Sequence, residues 1–362
     1  MLANPDVNRD AQFPGQSILQ LFDIVSVTTL KFGDRKRTKR LRMSPNPELE
    51  HFLNLLATKC HGLRALKLYD PELSDPRLKN SLMEIIRVNA SSLMTLLIQR
   101  IALNRDDLPI ICLCNRLERL VIYKAPHNSD FMASAVENFP NLLTVHIGER
   151  HPSAPYGIPS ILGALSIFCQ RLEKLTIVKW QLNPFSHTEP TTSLALLLSR
   201  CRALSELAIW YNSAANDSLF HFLTIAAPNL RVIQINYCKD LTTDPVVDPI
   251  RLASLVHLRD WLCPHDTDRR ADEIHWPKLT SLDLDNSPLV SLNLVPRLMK
   301  GCPKLERLVL PRHLNGVSKV QAELTTNDFE IVYEAEKEAW TLKGRREPIT
   351  QCFSSRNWSR QM

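Results

Sequence analysis

The chain has 362 residues, of which 44% are hydrophobic and 23% are charged, and its formal net charge is +6. These are ordinary values for a folded protein, and no apolar run reaches the roughly 18 residues that a membrane-spanning helix needs. The charge is local, because residues 31–42 hold seven basic side chains and one acidic one, so the rest of the chain has no net charge. This distribution argues against a nucleic-acid-binding face along the whole molecule, and we expect neither a specific nucleic acid nor a membrane as partner.

The N-terminal sequence indicates a protein that stays inside the cell. It has no basic segment followed by an apolar core, so no secretory signal is readable, and we expect a cytoplasmic or nuclear location, or both. Residues 1–16 are expected to be flexible. The basic segment that follows the first predicted strand is expected to be an exposed loop, and it is either a nuclear-localisation or anion-binding patch or a solvated insertion. Its basic residues are Arg35, Lys36, Arg37, Lys39, Arg40 and Arg42.

A short pattern recurs along the chain from residue 17 to about residue 315. It reads C-x-x-L-x-x-L-x-L and begins at Cys60, Cys114, Cys169, Cys201 and Cys302. Without the cysteine requirement there are eleven copies, spaced on average about 28 residues apart, which is typical of leucine-rich repeats. Their first apolar positions are Val27, Leu63, Leu93, Leu117, Leu142, Leu172, Leu204, Leu230, Leu258, Leu279 and Leu305.

Each copy changes from the period of a strand to the period of a helix. The L-x-L core alternates as in a strand buried on one face, whereas Leu49, Phe52, Leu53 and Leu56 have helical spacing. A second helical set is Leu219, Phe222, Leu223 and Ala226. The sequence therefore predicts an α/β leucine-rich-repeat solenoid over residues 17–315, a horseshoe whose inner parallel sheet has about eleven strands and whose helices lie outside.

The C-terminal region is predicted to close the repeats. Phe329, Val332, Tyr333 and Trp340 are expected on one side of a helix, so residues 316–343 are predicted to form a helical cap. Residues 344–362 contain few apolar side chains, and we expect them to be a disordered tail.

Two stretches carry a resemblance to a known family. They are Gly301-Cys302-Pro303-Lys304-Leu305, and the set Leu230, Ile233, Ile235, Cys238 with Leu241-Thr242-Thr243-Asp244. They resemble the ribonuclease-inhibitor-like, cysteine-containing leucine-rich repeats of F-box proteins, in a divergent fungal style. The resemblance implies a substrate-receptor-like component related to SCF ubiquitin ligases. Residues 13–25 carry an F-box-like opening at most, so an SCF adaptor is an expected partner only where an F-box lies upstream.

No catalytic or metal-binding constellation is readable in the sequence. Each recurring cysteine occupies the same position in its repeat, which indicates a small buried core residue and a reduced thiol. Cys112-x-Cys114 has neither zinc-finger spacing nor a second pair of ligands. The acidic pairs Asp106-Asp107 and Asp283/Asp285 are expected to be solvated. We therefore predict no metal, no cofactor and no enzymatic activity.

The strand positions between and after the leucines are expected to point to solvent on the concave face. They are unusually apolar and aromatic, and the alternative is that loops or neighbouring side chains cover them. The predicted partner-binding residues are Lys67, Tyr69, Tyr123, His146, Trp210, Asn236 and Asp283. We predict a monomeric protein-binding scaffold. The alternative is a non-enzymatic regulator of a GTPase or of a nuclear factor that uses the same surface.

Overall fold

The computed structural model describes two compact units, Met1–Glu173 (unit 1) and Lys174–Met362 (unit 2). The described residues are 28–32, 47–68, 76–99, 101, 103, 105–125, 129–149, 157–178, 189–210, 217–238, 241–242, 274–285, 287–290, 293–311, 314, 329–334 and 339–345. Each unit is built from strands that alternate with helices along the chain.

In unit 1, five strands lie side by side in chain order, and each described pairing is parallel. The strands are β1 (Thr29–Phe32), β2 (Ala65–Leu68), β3 (Thr95–Gln99), β4 (Arg119–Ala125) and β5 (Thr144–Glu149). The helices are α1 (Pro47–Lys59), α2 (Pro76–Asn89), α3 (Leu108–Cys112), α4 (Ser129–Val136) and α5 (Gly157–Phe168), with a 3₁₀ turn at Arg105–Asp107. Parallel neighbours require a crossover, and the helices supply it.

Unit 2 repeats this arrangement and ends differently. Its parallel strands are β6 (Lys174–Val178), β7 (Glu206–Trp210), β8 (Val232–Asn236), β9 (Ser281–Asp283) and β10 (Arg307–Val309). Its helices are α6 (Glu189–Arg200), α7 (Asp217–Ala226) and α8 (Leu294–Gly301). Strands β11 (Phe329–Glu334) and β12 (Ala339–Arg345) form an antiparallel pair, and β12 continues the sheet beside β10.

A similar turn leads into each of the nine parallel strands β2 to β10. A buried residue, here called the slot residue, lies three positions before the first leucine of each of these nine copies. In seven copies the leucine N–H donates to the slot carbonyl at 3.0–3.2 Å, as in a 3₁₀ turn. In the first of these turns Leu63 N–H donates instead to Asn89 Oδ1, after Gly62 at a φ of 89°. In the second, Leu93 N–H donates to the Asn89 carbonyl at 3.0 Å. The slot residues are Cys60, Ala90, Cys114, Phe139, Cys169, Cys201, Ala227, Trp276 and Cys302.

The core follows the predicted apolar pattern. Nine of the eleven first apolar positions are buried, and the remaining two, Val27 and Leu258, lie outside the described residues. Both predicted helical sets lie in helices, the first in Pro47–Lys59 and the second in Asp217–Ala226. An α/β fold with parallel strands and crossover helices is therefore confirmed.

The helical cap predicted for residues 316–343 is wrong where the structure describes that region. Residues 329–334 and 339–345 are strands, in which Tyr333 pairs with Trp340 and Val332 with Thr341. Aromatic and β-branched residues favour strands, and each of these two segments has the other as its pairing partner. The spacing of a few apolar residues does not distinguish a strand from a helix and does not show that such a partner exists. Strand β12 also includes the first two residues of the predicted tail, whereas residues 1–16 and 346–362 lie outside the described part of the chain.

Candidate protein-binding surface

The strands of each unit bury one set of side chains and turn the alternate set to the other face of the sheet, here called the outward face. In β8 the buried positions are Ile233 and Ile235, while Val232, Gln234 and Asn236 are half-buried. A pleated strand produces this alternation because successive side chains point to opposite faces. The partner-binding residues predicted from the sequence belong to the outward set or follow it.

In unit 1, Lys67 and His146 lie in one outward row. The register joins Lys67 to Leu97, Leu97 to Val121, and Val121 to His146 on adjacent strands. Lys67 and His146 are half-buried and are three strand spacings apart, or about 14 Å. The backbone of Tyr123 pairs with Gln99 and Gly148, whereas its side chain and the whole of Tyr69 lie outside the described residues. The structure therefore places two of the four predicted unit 1 residues on this face.

In unit 2, the predicted residues lie near one another on neighbouring strands of the outward face, and Asp283 is one row away from Trp210 and Asn236, in register with Gln234. Trp210 at the end of β7 pairs with Asn236 at the end of β8, and Asp283 ends β9. In the amide orientation that satisfies its neighbours, Asn236 donates to both Oδ1 and the backbone carbonyl of Asp283, each at 3.0 Å. The N–H of Asp285 also donates to Asp283 Oδ1 at 3.0 Å. We call Trp210, Asn236, Asp283 and Asp285 the anchor row.

The electrostatics of the anchor row are set by partial burial. Burial raises the pKa of Asp283, and the negative charge of Asp285 raises it further. The Asp285 amide, Arg307 and Asn236 act in the opposite direction and lower that pKa, but they do not offset the burial. A carboxylate in this setting is chemically suited to a cationic or hydrogen-bond-donating ligand, because such a ligand stabilises the charged form.

Tyr237, directly after Asn236, was missed by sequence reasoning. Its φ is 59°, which is uncommon for a residue with a side chain, and its N–H donates to the Asp285 carbonyl at 3.1 Å. The next residue is held firmly, because Cys238 N–H donates to Ser287 Oγ, which in turn donates to the Ile235 carbonyl. Tyr237 remains 42% exposed. No local signal marks it, since Gly or Asn is the usual residue in this conformation.

Several outward positions are less accessible than predicted. Val121 is 7% exposed, Val178 is 1% exposed and Ala208 is 8% exposed, so the prediction that they point freely to solvent is wrong. Side chains in register on adjacent strands lie about 4.8 Å apart, and large neighbours shield small ones at that distance. Val178 is in register with Trp210, whose own indole Nε1 is shielded from solvent.

The two acidic pairs are also not simply solvated. Asp106 is exposed, but Asp107 is buried and lies 2.6 Å from the Nζ atom of Lys79. Asp283 and Asp285 are both half-buried. The prediction of solvation is therefore wrong for Asp107 and for the second pair, because sequence spacing shows neither the lysine that a distant helix brings nor the depth of the sheet face.

The cysteines have the structural role predicted for them. All seven described cysteines are free thiols, and every one that fills a slot is buried. Burial raises the pKa of Cys114 to about 12, where Cys112 adds to the effect, and raises that of Cys201 to about 11. These thiols are neutral at physiological pH and therefore poor nucleophiles.

Among the described residues, no cluster of His, Cys, Asp or Glu could hold a metal ion, and no helix is long and apolar enough to cross a membrane. The basic segment from Arg35 to Arg42 lies outside them, whereas Lys31 in β1 is exposed. No protein-family model matches the chain, and no curated protein is significantly similar to it.

Proposed function

We propose that this chain is a leucine-rich-repeat solenoid that binds a protein partner through the outward face of its strands. The slot turn supports the repeat architecture, because seven described copies, spread over both units, have the same hydrogen-bond geometry. The slot residue is buried in all nine described copies. Repeats of this kind bury a core only by stacking, and their stacked strands present an extended surface. Protein binding is the function that such a surface fits.

The observation that carries the proposal is the anchor row of unit 2. A large aromatic residue, a side-chain amide and two carboxylates occupy neighbouring strands on one face, and hydrogen bonds hold the polar members in place. Preorganised aromatic and polar groups of this kind dominate the energetics of protein interfaces. Burial raises the pKa of Asp283, so a ligand that stabilises the charged carboxylate would bind favourably there.

The resemblance to F-box repeats favours a particular setting for this function. Its residues include Gly301 and Cys302, and it makes a substrate receptor of an SCF-type ubiquitin ligase the favoured biological role. Co-purification of an SCF adaptor and cullin with the full chain from cells tests this role, and their absence from the purified complex would contradict it.

The test of protein binding compares variants on and off the outward face. Trp210→Ala is expected to weaken capture of cellular partners at least tenfold, because a truncated aromatic anchor typically costs about 2 kcal/mol or more of binding energy. Tyr123→Ala tests the corresponding strand position in unit 1, and a tenfold loss is expected there as well. Quantitative affinity purification from cells, with binding of the recovered partner then measured in purified form, provides the comparison.

The control is Leu113→Ala, since Leu113 is a large apolar side chain that is 53% exposed at the end of α3 and lies off the outward face. It is expected to capture the same partners as the wild type. Thermal unfolding of each variant separates loss of binding from loss of folding. Partners that remain bound to both Trp210→Ala and Tyr123→Ala, or unfolding of the Trp210→Ala variant, would contradict the proposal and make the aromatic positions part of the packing.

A further inference from the structure

We propose that the anchor row of unit 2 binds the guanidinium group of an arginine in an extended segment of a partner protein. The inference rests on the proposed protein-binding function and names the chemistry of the partner. It commits to a basic protein segment because the row combines a broad aromatic side chain with two carboxylates on a single face.

The register sets the dimensions of the site. Trp210 is in register with Asn236, and Asp285 lies two residues beyond Asp283, which is itself in register with Gln234. Trp210 and Asp285 are thus two strand spacings apart, or about 10 Å, with Asn236 between them. Asp283 and Asp285 alternate with the fully buried Leu282 and Leu284, so both carboxylates belong to the outward face. A side chain lying over Asn236 can therefore reach the indole on one side and a carboxylate on the other.

Among the described residues, two cations bear on the charge of these strands, and each compensates the carboxylates of the row in part or not at all. Lys174, at the other end of the strands, lies 2.6 Å from Glu206 and is engaged there. Arg307 begins β10 and provides only partial compensation for Asp283. Because burial raises the pKa of Asp283 despite Arg307 and Asn236, a further positive charge would stabilise its ionised form.

Arginine fits this arrangement better than lysine. Its planar guanidinium stacks on an aromatic face and also donates paired hydrogen bonds to a carboxylate, whereas the lysine ammonium is a compact and strongly hydrated charge. Both requirements are present in the row, with Trp210 at one end and Asp285 at the other.

Tyr237 adds a second contact for the same segment. Its left-handed backbone places its N–H on the Asp285 carbonyl, and this bond fixes the residue that carries the second carboxylate. Its side chain is 42% exposed next to Asn236. Backbone strain of this kind persists where the surroundings hold it, and such residues concentrate at binding and catalytic sites.

Selection from a random peptide library on the immobilised full chain tests the proposal. We expect the selected peptides to carry arginine at one fixed position, and their binding, measured by fluorescence anisotropy, to weaken at least tenfold with the double variant D283N/D285N. Changing that arginine to citrulline, which keeps the shape and removes the charge, should have a similar effect on wild-type binding, and changing it to lysine a smaller one. The matched control is Glu306→Gln, an exposed carboxylate of unit 2 outside the row, which should bind normally.

The outcomes separate this proposal from the function on which it rests. Peptides that lose affinity with Trp210→Ala but lack arginine, and bind the double variant as they bind the wild type, would overturn the arginine site and leave protein binding intact. Selection that yields no peptides, or only peptides indifferent to the whole row, would overturn both. Dimerisation of the chain that disappears in the double variant would identify a second copy as the occupant and would also overturn the proposal. Should the double variant not fold, the citrulline comparison decides the matter on the wild-type chain.

Discussion

Unit 1 and unit 2 contain the same kind of turn and the same pattern of parallel strand pairing, but a shielded carboxylate is compensated differently in each. In unit 1, Asp107 is buried with the Nζ atom of Lys79 at 2.6 Å, so the countercharge lies within the fold. In unit 2, Asp283 lies on the outward face and accepts hydrogen bonds from two neutral donors, Asn236 and the Asp285 amide, while the charge of Arg307 offsets its burial only in part. A carboxylate with an internal countercharge contributes to stability, whereas we expect one held mainly by amides on a sheet face to gain from a cationic ligand.

Removal of Asp107 is the most damaging test of this comparison. Asp107→Ala leaves Lys79 with an uncompensated charge at a site where its side chain is 11% exposed, and we expect a loss of about 3 kcal/mol or more in the free energy of unfolding. Asp106→Ala is the matched control, because the Asp106 carboxylate is exposed and its removal should cost less than about 0.5 kcal/mol. Urea denaturation measures both. Equal losses would mean that the Lys79–Asp107 pair does not carry the stability of this region.

Two glycines, one in each unit, differ in the space around them. A Cβ on Gly301, at the end of α8 in unit 2, would overlap the Ile274 carbonyl oxygen, so the backbone must shift and Gly301→Ala should cost about 2–3 kcal/mol. A Cβ on Gly163 in helix α5 of unit 1 would meet nothing within 4 Å. Gly163→Ala should therefore stabilise the helix by about 0.5–1 kcal/mol. Thermal unfolding should show shifts of opposite sign, and a destabilising Gly163→Ala would contradict the helix packing.

The slot cysteines test what the two units have in common. Cys169 in unit 1 and Cys201 in unit 2 are both buried, and changing either to Ala leaves a small void that should cost about 1–3 kcal/mol. Alanine is structurally acceptable there, since Ala90 and Ala227 fill the same slot. Cys112→Ala is the control, because this half-buried thiol lies outside the slot and should lose less.

The reactivity of the thiols is measured by titration in the native and in the unfolded protein, alongside the denaturation curves of the slot variants. The slot thiols should react only after unfolding. The two turns are not equivalent if Cys169 forms a disulfide under native conditions. They are also not equivalent if the two slot variants lose very different amounts of free energy of unfolding.

The regular parts of the fold were predictable because they depend on local periodicity. Slot positions such as Cys169 and strand cores such as Leu282 follow from spacing alone, since every repeat must bury the same positions. The C-terminal strands were not predictable, because pairing between β10 and β12 is a long-range choice that apolar spacing leaves open.

At the candidate site, Trp210 and Asn236 could be located on the outward face by counting along the strand. The left-handed backbone of Tyr237 and the depth of Asp283 could not be predicted in this way. Both arise from hydrogen bonds to residues about 50 positions away, such as the bond from Tyr237 to Asp285.

The smallest expected effect concerns pH and again has opposite signs in the two units. Because burial raises the pKa of Asp283, the folded state holds its proton more tightly than the unfolded state does. The contribution of Asp283 to the free energy of unfolding therefore falls as the pH rises from the ordinary pKa of 3.8 through the raised pKa of the folded state. The loss persists at neutral pH. Asp283→Asn removes the charge and keeps a side-chain acceptor. The variant should be more stable than the wild type at neutral pH, and this advantage should shrink as the solution is acidified.

Glu84 in unit 1 provides the opposite case. The hydrogen bond from Arg87 lowers the pKa of Glu84, so the stability it contributes is present above its ordinary pKa of 4.5 and is lost as pH falls through the lowered value. Glu84→Gln should therefore be slightly less stable than the wild type at neutral pH, and the deficit should disappear in acid; it should remain small because the pair is exposed to solvent. Urea denaturation from about pH 3 to pH 7 measures both variants against the wild type at each pH, so the titration of all other carboxylates cancels in the difference. If the two variants change the free energy of unfolding in opposite directions at neutral pH, the distinction between a carboxylate with a countercharge and one held by amides is supported. Changes in the same direction would refute it.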